Sequence, residues 1–427
     1  MDRHGRDPQE VGNARHVKLP HMSGDDTEHG SIAATGTPTV NVRMPTDAPR
    51  LLVLSVSQGA GHVRAAEAVT LALKELAPAA TVSNFDVLTL TTALFRRAYS
   101  QAYLDMVNNA PHLLAYLYDM TDVPQNRRRK RDELRRLVQW LNLGRFERVL
   151  AEPWDLVINT HFLPADIIAG RRRRKKTTLR QVTVVTDFDA HAFWANQPTE
   201  RYFVATEEAA LSLMYWGVPR EDIELTGIPI HPVFAQERSR AECREKHGLA
   251  QDRPVILLLS GGLGVGPIER VFETILSIEA PLQLVTVAGK NAALKARLDQ
   301  IKPPARHAAK VLGFTTAMDE LMAAADVVVS KPGGLTTAEI LARGSAMVMM
   351  DPIPGQESRN SDYLLENGAA IKADSLATLA HKLSRLLADT QRLGRLRAAA
   401  KALGHPRAAY AVAEKALAMA SSTMKAK

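Results

Sequence analysis

The sequence predicts an α/β protein built from two successive doubly wound domains. An apolar strand, a glycine turn and a helical stretch open the pattern at Arg50. The same trio restarts at Pro254, and strand-length apolar runs alternate with helical spacing throughout both halves.

In the first array RLLVLSV (50–56) has the length and composition of a buried strand, and SQGAGH interrupts it with glycines. VRAAEAVTLALKEL (63–76) spaces alanine and leucine as a helix does, and TVSNFDVL (81–88) returns to strand composition. Residues 91–120 are long, aromatic and amphipathic, with Leu94, Phe95, Tyr99, Tyr103, Leu113, Leu114, Tyr116 and Leu117 on the apolar side. WDLVINTHF, QVTVVTDFD, RYFVAT and IELTGIPI supply four more strands. HPVFAQERSRAECREKHGLAQDR (231–253) reads as a linker running into a short helix.

The second array begins with the strand PVILLLSGG, the helix GPIERVFETILSI and the strand LQLVTVAG. AALKARLDQI, AKVLGF, AMDELMAAA, DVVVSKPGG and AMVMMDPIP continue the alternation, and helices run on from there. The expected domains are a disordered extension over 1–47, a first domain over 48–235, a second over 236–403 and a closing helix over 404–427. Ligands of such sheets bind at the carboxyl ends of the strands, here in the cleft between the domains.

Composition narrows the function classes. Among 427 residues, 54 Lys and Arg outweigh 46 Asp and Glu, so anionic partners are favoured. Cys243 is the single cysteine, which excludes a disulfide framework and a multi-cysteine metal site. The opening residues hold no apolar signal-like run, and no stretch reaches the ~18 apolar residues of a spanning helix. A soluble or surface-bound protein is expected. The basic excess clusters at Arg127, Arg128, Arg129, Lys130 and Arg131 and at Arg171, Arg172, Arg173, Arg174, Lys175 and Lys176. No nucleic-acid-binding motif or interleaved aromatics accompany them, so nucleic acid is not expected as a partner.

Three glycine turns follow strands. In SQGAGHVR, Gly59 and Gly61 with Asp86 at the next strand end suggest a dinucleotide site, but Arg64 stands where the third glycine belongs. His62 opens the following helix, where the positive helix end favours a neutral imidazole; it is a proton acceptor or a turn cap. SGGLGVG (260–266) and SKPGGLTTAE (330–339) lack the G-K-[ST] of a P-loop. The latter is either a phosphate cradle, with bare N–H groups at Gly333 and Gly334 and hydroxyls at Thr336 and Thr337, or an ordinary capped turn. Gln356, Glu357 and Asn360 crowd amide and carboxylate groups after the last strand, a set suited to sugar hydroxyls.

Taken in order, LSVSQGAGHVRAAEAV, NTHFLPADI, VVTDFDAHAFW, RYFVATEEA, LTGIPIHPVF, LLLSGGLGVGPIE and SKPGGLTTAEILARGSAMVMMDPIPGQESRNSDYLLENGAA resemble the diacylglycerol glycosyltransferases. These are the monogalactosyldiacylglycerol synthases and processive diacylglycerol glucosyltransferases, related to the N-acetylglucosaminyltransferase of peptidoglycan-precursor synthesis. The resemblance covers about residues 50–400 and implies a GT-B fold: two Rossmann-like domains facing an interdomain cleft, with the last helix returning to the first domain. It implies transfer of glucose or galactose from a UDP-sugar to a lipid hydroxyl, diacylglycerol first, with inversion and with no metal or other cofactor required; the alternatives are another lipid-linked or sugar acceptor, or UDP-sugar binding without transfer.

By match to the family motifs, Gly61, Gly262, Gly264, Gly333, Gly334, Leu335, Thr336 and Thr337 would surround the donor diphosphate, and Glu339 would take the ribose hydroxyls. Gln356 and Glu357, with Asn360 behind them, would read the hexose, and Phe314 would lie beside the uracil. His62 is the first candidate base, with Asp187, His191 and His161 in reserve. Asp187 and Asp189 have metal-clamp spacing but stand in the acceptor domain, where they read as a substrate-side or structural pair. Ser57 replaces an acid that plant-type members carry five residues before the histidine, so a mechanism that needs this acid does not transfer. The basic clusters and the amphipathic segment 91–118 would then lower the first domain onto anionic lipid at the inner face of the cell membrane.

Overall fold

The computed structural model describes residues 48–57, 59–93, 96–97, 144–261, 267–350, 352 and 355–425. Residues 1–47, most of segment 91–118, the cluster at 127–131, and Gly262 and Gly264 lie outside this set.

The first half holds β1 (Arg50–Ser55), α1 (Gly61–Leu76), β2 (Thr81–Asp86), α2 (Gly144–Leu150), β3 (Leu156–Asn159), α3 (Phe162–Arg173), β4 (Gln181–Val184), β5 (Arg201–Val204), α4 (Glu207–Tyr215) and β6 (Ile223–Leu225). A 3-10 turn, Pro232–Ala235, and α5 (Arg240–Lys246) lead into the second half. There follow β7 (Val255–Leu259), α6 (Ile268–Leu276), β8 (Gln283–Val287), α7 (Ala292–Asp299), β9 (Ala308–Leu312), α8 (Met318–Ala324), β10 (Val327–Ser330), α9 (Gly334–Ala342), β11 (Ala346–Met350), α10 (Gln356–Glu366) and β12 (Ala370–Ala373). The chain closes with α11 (Leu376–Ala388), α12 (Thr390–Leu403) and α13 (Ala408–Lys425).

Each half is one parallel six-stranded sheet, ordered β2-β1-β3-β4-β5-β6 and β12-β11-β10-β7-β8-β9. Parallel strands need both faces covered, which explains the near-continuous apolar runs of β1, β3 and β7. On one face of the first sheet, Leu51, Val53 and Ile158 pack against Ala66, Val69 and Leu73 of α1. Ala409, Val412, Ala413, Ala416 and Ala420 of α13 complete the same core, their small side chains allowing close approach to α1. On the other face Leu52, Leu54 and Val157 meet Phe146, Trp154 and Ile168.

One apolar cluster runs through both halves. It joins Ala65, Phe188, Ala205 and Ile230 of the first to Leu335, Ala338, Leu364 and Val328 of the second. Burying a side chain of leucine or phenylalanine size contributes about 1.5–3 kcal/mol, so this seam holds the halves together as a core rather than as a wet contact. Its tightest point is Gly334, the first residue of α9: a methyl group there would run into the Thr186 carbonyl and crowd Asp187.

Gly334→Ala should therefore cost about 1–3 kcal/mol of stability, read by chemical denaturation. Gly333→Ala is the control, since its methyl group would come no closer than 3.5 Å to the Glu357 carboxylate; equal losses would contradict the packing argument.

Candidate functional site

The strand order reverses between β1 and β3 in the first sheet and between β7 and β10 in the second. These switch points are where open α/β sheets leave a crevice at their carboxyl edge. The turn carrying His62 and the Thr160–His161 pair occupy the first, and Ser260–Gly261 and Lys331–Gly333 the second.

His62, in the first turn of α1, places Nδ1 3.0 Å from the Thr160 carbonyl oxygen and 2.8 Å from the Thr186 hydroxyl. The Thr160 hydroxyl donates back to the His62 carbonyl at 2.9 Å. A carbonyl only accepts, so Nδ1 carries the ring proton and Nε2 keeps its lone pair. Burial lowers the His62 pKa to about 4, against the Thr160 bond, which raises it, so the ring is neutral near pH 7.

His161 and His191 hold the opposite tautomer. His161 Nδ1 accepts the Leu163 N–H at 3.0 Å and caps α3, and His191 Nδ1 accepts the Phe193 N–H at 3.2 Å. Both rings therefore present Nε2–H as a donor. Burial, followed by the charges of His62 and His191, drives His161 well below its usual range. Burial, then Arg359 and His62, takes His191 to about 3. The His62 and His161 rings meet edge to face at 4.6 Å, and Trp194 lies 6.2 Å from the first. Phe162 and Phe193, stacked at 5.4 Å, extend this aromatic wall.

Residues 186–190 carry the first half into the second. The Phe188 N–H donates to Asn360 Oδ1 at 3.0 Å, while Asn360 Nδ2 donates to the Pro332 carbonyl at 3.0 Å. The Phe188 ring stacks on Tyr363 at 5.3 Å. Asp189 accepts the Ser212 hydroxyl at 2.7 Å and pairs with Arg359 Nη1 at 2.9 Å, which gives this acid a structural, cross-half role. Asp187 is different. Burial raises its pKa to about 7; the Asn360 hydrogen bond pulls it down, and Glu357 and Asp189 push it up.

On the second half, Gly333 caps α9, Leu335 packs near Gly61, and Thr336 is half-buried. The hydroxyl of buried Thr337 and both amide atoms of Gln356 have no hydrogen-bond partner within the protein. Glu339, with a side chain 1% exposed, is ion-paired to Arg64 of the first half. Burial lifts its pKa to about 7, with the Arg64 charge and hydrogen bond opposing.

The structure thus gathers Gly61, His62, Asp187 and His191 opposite Gly333, Gly334, Leu335, Thr336, Thr337, Glu339, Gln356, Glu357 and Asn360. Phe314 stands apart, 69% exposed beyond β9, with the Lys290 ammonium 5.8 Å over its ring. Thr160, Thr186, Arg64 and Arg359 are site residues that sequence reasoning missed. The two threonines lie 98 and 124 residues from His62, and no local spacing reveals such contacts.

Two expectations change. Asp86, the acid of the dinucleotide reading, has Oδ1 bound to the N–H groups of Ser57 and Leu88 and holds the turn together. The run at 171–176 is not six free cations: Arg171, Arg172 and Arg173 pair with Glu147, Glu200 and Asp166. Arg174, Lys175 and Lys176 stay exposed at the end of α3, where Lys175 takes the left-handed conformation that terminates helices.

Two family models match the chain: monogalactosyldiacylglycerol synthase over residues 62–230, and the C-terminal domain of glycosyltransferase family 28 over residues 255–413. A processive diacylglycerol beta-glucosyltransferase of Bacillus cereus is 34% identical over 266 residues, which is 61% of this chain and 67% of the relative. The Bacillus licheniformis protein of that name is 32% identical over 240 residues, and the match covers 56% of this chain and 62% of the relative's length. Among solved structures, MurG of Acinetobacter baumannii aligns with a TM-score of 0.55 at 17% identity, covering 86% of this chain and 99% of that one. That likeness establishes the shared GT-B fold of two Rossmann-like sheets.

The buried histidines set an acid limit. Between the ordinary pKa of 6.5 and the lowered native values, the unfolded chain binds protons that the fold refuses, so stability falls as pH drops through this window. Asp187 and Glu339 act with the opposite sign, losing stability as pH rises toward about 7. His161→Phe should flatten the fall in stability below pH 6.5 by up to about 1.4 kcal/mol per pH unit, measured by denaturation at each pH. An unchanged slope would contradict a neutral, buried His161.

Proposed function

Because this chain belongs to the family of monogalactosyldiacylglycerol synthases and processive diacylglycerol glucosyltransferases, we propose that it transfers a hexose from a UDP-sugar to the hydroxyl of diacylglycerol. The observation that carries this reading is the junction at Thr186. Its hydroxyl binds His62 Nδ1, and its carbonyl packs on Gly334 at the start of α9. A proton acceptor and a helix N-terminus suited to phosphate therefore face one another across a single residue.

The donor binds the second half. Its diphosphate lies at the α9 N-terminus, where the first N–H groups of the helix have no intrahelical acceptor and Gly333 puts no side chain in the way. The unpaired Thr337 hydroxyl adds a donor. Gln356, whose two buried amide atoms lack a partner within the protein, and Glu357 take hexose hydroxyls, and Glu339 takes the ribose diol. Neutralisation of the leaving diphosphate by helix and amide dipoles supplies the charge stabilisation that other transferases draw from a metal. Asp187, with its raised pKa, can stand beside the incoming phosphates as a neutral acid.

The acceptor enters from the first half. As its oxygen attacks the anomeric carbon in line with the leaving diphosphate, His62 Nε2 takes the hydroxyl proton while Nδ1–H stays on the Thr160 carbonyl. The Nε2–H of His161 is a donor that orients the acceptor oxygen. One displacement inverts the anomeric centre, giving a β-glycoside from an α-linked donor.

Access to a lipid acceptor requires a membrane surface. Arg174, Lys175 and Lys176 on the first half, each worth about 1 kcal/mol near anionic lipid, would act with the cluster at 127–131 and with segment 91–118 to hold the protein on the inner leaflet. Among the described residues no helix is long and apolar enough to cross a membrane.

Radiolabelled UDP-glucose and UDP-galactose, offered separately with diacylglycerol in micelles containing an anionic lipid, test the proposal. Chloroform-soluble label from one donor is expected, with kcat about 100-fold lower in His62→Ala and the donor KM raised in Glu339→Ala. Donor binding without label in any lipid product would overturn it.

A further inference from the structure

Arg64 is the residue that defeats a dinucleotide fingerprint, and the transfer mechanism above leaves it unused. It sits one turn into α1, two residues past His62, and its guanidinium crosses from the first half to the Glu339 carboxylate in the second. The contrast in burial is large: the Arg64 side chain is 41% exposed and that of Glu339 1%. A carboxylate so buried keeps its charge only through its partners.

We infer that Arg64, reaching across the cleft, is the positioning residue that keeps Glu339 an acceptor for the ribose diol of the donor, so that the ribose is read only while the two halves are docked. The inference rests on the assignment of Glu339 to the ribose.

Other charged groups near α9 face elsewhere. Arg343, at the helix's own end, binds the carbonyls of Gln236 and Val233 and the Asp319 carboxylate. Arg397 and Lys401 of α12 lie beside Gly344, beyond the C-terminus of α9. His231, before the 3-10 turn packed on α9, uses Nδ1 to accept the Val233 N–H. On α1, His62 is committed to Thr160 and Thr186; in the 186–190 loop, Asp187 is bound by Asn360. Among the described residues, Arg64 is the cation seen bonded to Glu339.

An ionised carboxylate offers about four lone-pair sites, and Arg64 occupies only Oε1, so capacity for a vicinal diol remains. A protonated carboxyl gives up part of that capacity and becomes a donor itself. Burial already lifts the Glu339 pKa to about 7 with Arg64 opposing it. Ribose recognition should therefore strengthen as pH rises through 7. Loss of Arg64 removes an influence that lowers this pKa, and so moves the transition to higher pH.

The test is the ratio of the Kd values of 2′-deoxy-UDP and UDP, measured by calorimetry from pH 6 to 9 on the full chain and on Arg64→Met, Arg64→Lys and Glu339→Gln. The ratio cancels the titration of the phosphates common to both ligands. In the wild type it should climb with pH to about tenfold or more. Arg64→Met should show the same climb displaced to higher pH, Arg64→Lys should return it toward wild type, and Glu339→Gln should give a small, pH-independent ratio. Circular dichroism checks that Arg64→Met stays folded; if it does not, Arg64→Gln takes its place, a curve displaced to higher pH supporting the inference and a wild-type curve overturning it.

An Arg64→Met curve coincident with wild type, or tighter UDP binding in that variant, would overturn the inference and leave the ribose assignment standing. A Glu339→Gln ratio equal to wild type would overturn both, as would a wild-type protein that binds neither nucleotide.

Discussion

The close approach of α9 to the 186–190 loop is the constraint on which the rest of the molecule depends. Only a glycine at position 334 lets the helix start against the Thr186 carbonyl, and that contact continues into the apolar cluster joining the two sheets. Around it, Asn360 holds the Phe188 amide, Arg359 holds Asp189, and Arg64 holds Glu339. Without the glycine, the second half would be displaced and each of these bonds would have to re-form elsewhere. The two switch-point crevices would then no longer open onto each other.

Electrostatics divide the site along the same line. The first half gathers three histidines that burial keeps neutral, and backbone partners give them different tautomers: an open nitrogen on His62, N–H donors on His161 and His191. Two carboxyls at the junction, Asp187 and Glu339, are pushed up to about 7 by the same burial. Neutral polar groups, helix ends and few fixed charges suit a reaction in which an anionic donor meets an uncharged hydroxyl. Burial is the largest influence on all of them, raising the acids and lowering the bases by one mechanism.

Much of this was legible in the sequence. The strand runs and glycine turns fixed two parallel sheets, because hydrophobic periodicity and turn chemistry are local properties. The second-half candidates on SKPGGLTTAE and GQESRN come together for the same reason, since each stretch is contiguous, whereas Phe314 stands apart from them. The first-half site was legible only in part. His62 stands out by its turn, but its tautomer is set by Thr160 and Thr186, which arrive from other strands. Arg64 read as a failed glycine because its partner lies 275 residues away. The arginines at 171–173 read as charges free for a lipid surface because their acids, Glu147, Asp166 and Glu200, are brought to them by α2, α3 and the approach to β5.

Residues of both halves form one candidate site at the Thr186–Gly334 junction. Amide hydrogen exchange with and without UDP tests it most directly. UDP should slow exchange at residues 333–339 and, in the same titration, at residues 186–191, although the contacts proposed for the nucleotide lie on the second half. Protection confined to 333–339, with 186–191 unchanged at saturating UDP, would contradict a site shared between the halves.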